Sequence, residues 1–99
     1  MKKRRPLDPV HPGEVLREEF LAPLALTSYA LAKRCLVPRT RIERLAREET
    51  PITADTALRL SRALGTTAEF WMNLQTQYDL DVAAAGAKRD LKSIEPIDA

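Results

Sequence analysis

The stretch from Thr27 to Arg47, TSYALAKRCLVPRTRIERLAR, constrains the fold of this chain more than any other. It holds two short helical patterns with a tight joint between them. Thr27 is a good N-cap, with Leu26 before it and Leu31 after it in the spacing of a hydrophobic staple. A helix then runs from Ser28 to Cys35, with Leu31, Ala32 and Cys35 facing one way. Leu36-Val37-Pro38 forms the joint. Pro38 ends any continuation of the first helix, because it lacks an N–H, and it pre-sets φ for the next one. The second pattern, Pro38–Arg47, divides cleanly at helical periodicity. Ile42, Leu45 and Ala46 form its inner edge, and Arg39, Thr40, Glu43, Arg44 and Arg47 form its outer one.

The outer edge is where the charge lies. A net charge of +2 over 99 residues does not by itself argue for nucleic acid. Its distribution does: Lys33, Arg34, Arg39, Arg41, Arg44 and Arg47 are six cations within fifteen residues, and Glu43 is the only acid among them. A local field can be strong where the global one is weak. On an arbitrary helix such a face is solvated surface. Here the preceding helix, the joint and the clean inner–outer split point to a helix-turn-helix, which sets its second helix into the DNA major groove.

The rest of the chain reads as support. Residues 1–10 form a flexible basic arm, since Lys2, Lys3, Arg4 and Arg5 are followed by Pro6 and Pro9; a sharper reading has the arm touching DNA. The helical domain spans 11–86, and 87–99 form a C-terminal tail. In HPGEVLREEFL, Pro12 suits a first helical turn and Glu14 suits the positive end of the dipole. Val15, Leu16 and Phe20 make an apolar edge, Arg17, Glu18 and Glu19 face solvent, and Pro23 stops the helix near Leu21. His11, the only histidine, reads as a loop or capping residue. Thr53 caps a fourth helix with Ala57, Leu60, Ser61 and Leu64 inward and Arg59 and Arg62 outward. Gly65 closes it in a left-handed cap. Thr67 caps a fifth, running toward Gly86, on which Phe70, Trp71, Leu74 and Tyr78 recur at helical spacing. The stripe of Trp71, Leu74 and Tyr78 either packs internally or leaves a remainder for a partner. The segment KRDLKSIEPIDA is open between a short extra helix and weak structure.

Several classes are disfavoured. A single cysteine, Cys35, makes no internal disulfide, and this length buries a core without staples. A reducing, cytoplasmic setting is expected. No apolar run follows MKKRR, so no secretory signal is expected, and no apolar stretch reaches the length of a membrane span. His11 and Cys35 lie on different elements and offer no nucleophile–base pair, and no glycine loop cradles a phosphate. No enzyme activity, cofactor or metal is expected.

HPGEVLREEF, then ALTSYALAKRCLVPRTRIERL, then PITADTALRLSRALGTTAEFWMNLQTQYDL, strongly resembles the HigA antitoxins of the XRE helix-turn-helix class. The likeness covers about Pro9 to Val82. It rests on HPGE, ITADTALRL and the aromatic stretch EFWMNLQTQYDL in combination. It implies an all-α, five-helix, lambda-repressor-like domain forming a two-fold homodimer. It also implies two partners: a palindromic double-stranded DNA operator and a HigB-type toxin, an mRNA-cleaving RNase of the RelE type that the antitoxin neutralises. By the same resemblance, Arg39, Thr40 and Arg44 fall where related helices read base edges. Ser28 and Arg47 fall on phosphates, with Arg41 a further backbone contact. Two positions depart from the family pattern: Leu36, in the turn, and Glu48, just after helix three, stand where glycine is frequent. A left-handed residue with a Cβ costs about 1–2 kcal/mol. Either the turn differs, then, or helix three runs further, and Glu48 and Glu49 add acid beside the arginines. The competing readings are a stand-alone XRE-type regulator without a toxin, and a protein-interaction module with weak DNA binding.

Overall fold

Helices α1, α2, α4 and α5 each begin where a side chain accepts from one of the unpaired N–H groups of the first turn. The structure is a computed structural model describing residues 8–98; residues 1–7 of the expected basic arm lie outside the described residues. His11 is extended, and its Nδ1 accepts from the Gly13 N–H at 2.9 Å, so it caps α1 (Pro12–Val15). α1 widens into a π-helical segment, Leu16–Leu21, whose last turn is closed by the Ala22 N–H on the Arg17 carbonyl at 3.0 Å. Then come α2 (Ser28–Cys35), α3 (Arg39–Ala46), α4 (Ala54–Leu64), α5 (Ala68–Gly86) and α6 (Lys88–Ser93). The hydroxyls of Thr27, Thr53 and Thr67 accept from Ala30, Thr56 and Phe70 at 3.0, 3.3 and 3.0 Å. All three predicted caps therefore form. The third helix is slightly shorter than expected. Pro38 stays extended as its N-cap (φ −62°, ψ 145°), and Arg47 is the C-cap. The open question at the C-terminus resolves as a short helix, α6.

The core collects the inner edges of these helices. Leu16, Leu31, Ile42, Leu45, Leu60 and Trp71 are fully buried, with Val37, Leu26 and Leu74 packed against them. The Trp71 ring lies 5.3 Å from Phe20 and 5.0 Å from Phe70, and its Nε1 donates to the Thr66 hydroxyl at 2.7 Å. Gln75, unremarked in the sequence, is also buried. Its Oε1 accepts from the Ile52 N–H at 2.7 Å, which ties the loop before α4 to α5.

The two glycine-free joints keep the glycine conformation. Leu36 sits at φ 58°, ψ 43°, and Glu48 at φ 64°. At Leu36 the Val37 N–H bonds to Ala32 and the Leu36 N–H to Lys33 (3.1 and 3.3 Å). At Glu48 the Glu49 N–H bonds to Arg44 and the Glu48 N–H to Leu45, both at 2.9 Å. These are paired Schellman closures, which satisfy the last carbonyls of α2 and α3. Neither sequence alternative holds: the turn is not altered and helix three does not run on, because abandoning the closure would orphan those carbonyls. Leu36 is 83% exposed, so its side chain offsets little of the strain. Leu36→Gly should raise stability by about 0.5–1 kcal/mol, the relief of the left-handed Cβ less the extra chain entropy of glycine. Thermal denaturation reads this as a higher midpoint, and an unchanged or lower one refutes the strain.

Candidate nucleic-acid interface

Helix α3 is held at both ends by neighbours far away in sequence. A Cβ built on Gly13 would lie 1.8 Å from the Leu45 carbonyl oxygen, so α1 touches the backbone of α3 at a point where only glycine fits. Arg17 donates to the Ala46 carbonyl at the end of α3 and to Glu48 at 3.2 Å. This corrects two expectations. Arg17 does not simply face solvent, because the open carbonyls of α3 attract its guanidinium. The Glu48 carboxylate is turned onto Arg17, where it faces a cation other than the outward arginines. Nearby, burial pushes the His11 imidazole below its ordinary pKa, and its ring meets Tyr78 edge-on at 4.9 Å.

At the other end, Arg59 donates from Nη1 to the Cys35 carbonyl at 2.8 Å and to the Leu36 carbonyl at 3.4 Å. It is therefore not an outward residue; it closes the end of α2. Its Nε donates to Asp55 Oδ2 at 2.9 Å, and Arg41 Nη1 donates to the same oxygen at 2.6 Å. The guanidiniums of Arg59 and Arg41 hold the Asp55 carboxyl below the usual carboxylate range. Burial pushes the Cys35 thiol up, in keeping with a small core residue.

What remains outside is a cationic face. Arg39, with a side chain 60% exposed, forms a 3.5 Å ion pair with Glu43. Thr40, Arg44 and Arg47 are exposed beside it, and Ser28 is half-buried at the first position of α2. Arg39 and Arg44 are about 7.5 Å apart along the helix axis, roughly two base-pair steps. A guanidinium fork matches guanine O6 and N7. An open cleft of about 580 Å³ runs beside this face, with Pro38, Thr40, Arg41 and Arg44 on one wall and Thr53 and Asp55 on the other.

Of the residues singled out from sequence, the structure brings Arg39, Thr40, Arg44 and Arg47 together and turns Arg41 onto Asp55. Trp71 lies inside, while Leu74 and Tyr78 are half-buried. Gly13, Arg17, Asp55, Arg59 and Gln75 were missed as parts of the frame. Asp55 and Arg59 carried a signal, the i, i+4 spacing of an ion pair. Gly13 carried another, a glycine inside a helical pattern. The contacts of Arg17 and Gln75 span 29 and 23 residues and left no local trace. Among the described residues no group of three His, Cys, Asp or Glu side chains is placed to hold a metal, and no helix is long and apolar enough to cross a membrane.

A threonine-capped helix, a left-handed turn and a third helix with an arginine face define a helix-turn-helix protein. Residues 16–71 match the helix-turn-helix family. The chain is 50% identical over 88 residues to virulence-associated protein I of Dichelobacter nodosus, covering 89% of this chain and 78% of that one. It is 39% identical over 95 residues to antitoxin HigA-1 of Vibrio cholerae, covering 96% and 87%. The solved structure of Pseudomonas aeruginosa antitoxin HigA with the higBA promoter superposes with a TM-score of 0.86 at 42% identity, covering 91% of this chain and 99% of that one. The chain belongs to the helix-turn-helix family and, within it, to the HigA antitoxins.

Proposed function

We propose that this protein is a sequence-specific DNA-binding antitoxin that represses its own operon and neutralises a HigB/RelE-like, mRNA-cleaving toxin. The observation that carries this is the exposed face of Arg39, Thr40, Arg44 and Arg47, mounted on the same frame as a HigA bound to promoter DNA. Arg39, Thr40 and Arg44 read bases, and Ser28 and Arg47 hold phosphates. The protein acts in the cytoplasm and by binding alone; the RNase chemistry belongs to the toxin. A palindromic operator calls for a two-fold dimer. Leu80 and Val82 on α5 and Leu91 on α6 are exposed apolar groups that a second copy would cover.

The test is a gel shift on the DNA upstream of its own reading frame, with and without the neighbouring toxin. A sequence-specific shift supports the reading, and equal binding to a scrambled duplex defeats it. Arg39→Ala and Arg44→Ala should each cost about 1–3 kcal/mol on the operator and relax base preference. Arg47→Ala should weaken all duplexes alike and lower the salt slope by about one unit.

A further inference from the structure

Arg41 stands on α3 among the outward arginines, yet its guanidinium is already matched. Its Nη1 donates to Asp55 Oδ2 at 2.6 Å, and the same oxygen accepts from Arg59 Nε at 2.9 Å. Arg59 in turn holds the Cys35 and Leu36 carbonyls. One carboxylate oxygen therefore links α3, α4 and the turn between α2 and α3. The three side chains remain 43%, 54% and 38% exposed (Arg41, Asp55 and Arg59), and ion pairs so exposed contribute little to folding. What the bridge does change is the charge that α3 offers to a duplex.

We propose that Asp55 is a specificity-determining residue: it holds Arg41 off the phosphate backbone, so that sequence-independent attraction stays low relative to base readout. The proposal rests on the reading of α3 as the DNA-reading helix. Phosphate contacts add affinity on any sequence and carry no sequence information. A cation paired with a carboxylate within its own chain releases no counterion from DNA. Arg41 also lines the cleft shared with Thr40 and Arg44, so a freed guanidinium would reach outward from beside the reading residues. On α3 itself the acid Glu43 is taken up by Arg39.

The test uses the full chain with Asp55→Asn, Arg41→Ala and the double variant. Each is titrated over a salt series on two duplexes, the DNA upstream of its own reading frame and a base-scrambled copy, with circular dichroism confirming the fold. Asp55→Asn should tighten scrambled-duplex binding several-fold and steepen its salt slope by about one unit. The upstream duplex should gain less, so the ratio of the two affinities falls. Adding Arg41→Ala should return both to the wild-type values, and Arg41→Ala alone should leave the slope unchanged. A slope lowered by Arg41→Ala alone would overturn the proposal, because Arg41 would already be on a phosphate. A gain that survives in the double variant would also overturn it, because the lost acid alone would then explain the effect. Should wild type not distinguish the two duplexes, the DNA-reading function fails instead, and the scrambled-duplex slopes still decide whether Asp55 restrains Arg41.

Discussion

Trp71→Ala should lower the stability of this protein by about 3–5 kcal/mol, the largest effect of any single truncation described. The indole is fully buried, touches Phe20 and Phe70, and anchors α5 through its bond to Thr66. Truncation would open a cavity and take away the donor that the half-buried hydroxyl of Thr66 accepts from. Domains of this size have about 5–15 kcal/mol to lose, so the variant would sit near the edge of folding at room temperature. Urea denaturation followed by circular dichroism measures the loss directly. Trp71→Phe separates its two parts, because it keeps most of the ring volume and gives up the Thr66 bond. Near-wild-type stability in Trp71→Ala would mean that α5 is not secured by its tryptophan.

Gly13→Ala should be the second most damaging change, at about 1–3 kcal/mol or somewhat more. The added methyl would overlap the Leu45 carbonyl, which is backbone and has no rotamer by which to move aside. Relief requires α1 and α3 to separate, and that also tilts the arginine face. The variant should therefore lose stability and, at temperatures where it remains folded, lose more affinity for the operator than for scrambled DNA. Gly86→Ala is the control: nothing lies within 4 Å of its added Cβ, and it should be near neutral. If both glycine variants melt together, close approach at Gly13 is not what the HPGE segment provides.

Most of the fold was legible because most of its signals are local. Threonine caps, the proline at the joint, Gly65 and the inner edges of α2, α3 and α4 each depend on residues a turn or less apart. The exposed face of Arg39, Thr40 and Arg44 was legible for the same reason. Arg17 and Arg59 were misread as solvent-facing because helical periodicity reports only which side of a helix a residue occupies. A long side chain at the edge can bend to a carbonyl on another helix, and both of these do. Leu36 and Glu48 were left open for a different reason. Local strain argued against the left-handed turn, and only the assembled closures show which term wins.

The sequence by itself determined that two short helices meet at a tight turn and that the second carries an arginine face, because capping, proline chemistry and periodicity act within a few residues. Only the tertiary structure decided how that face is held. Gly13 seats α3 against α1, Arg17 covers its end, and the Asp55 carboxylate joins it to the turn. These contacts cross from one helix to another, so their partners are chosen by packing, not by spacing along the chain.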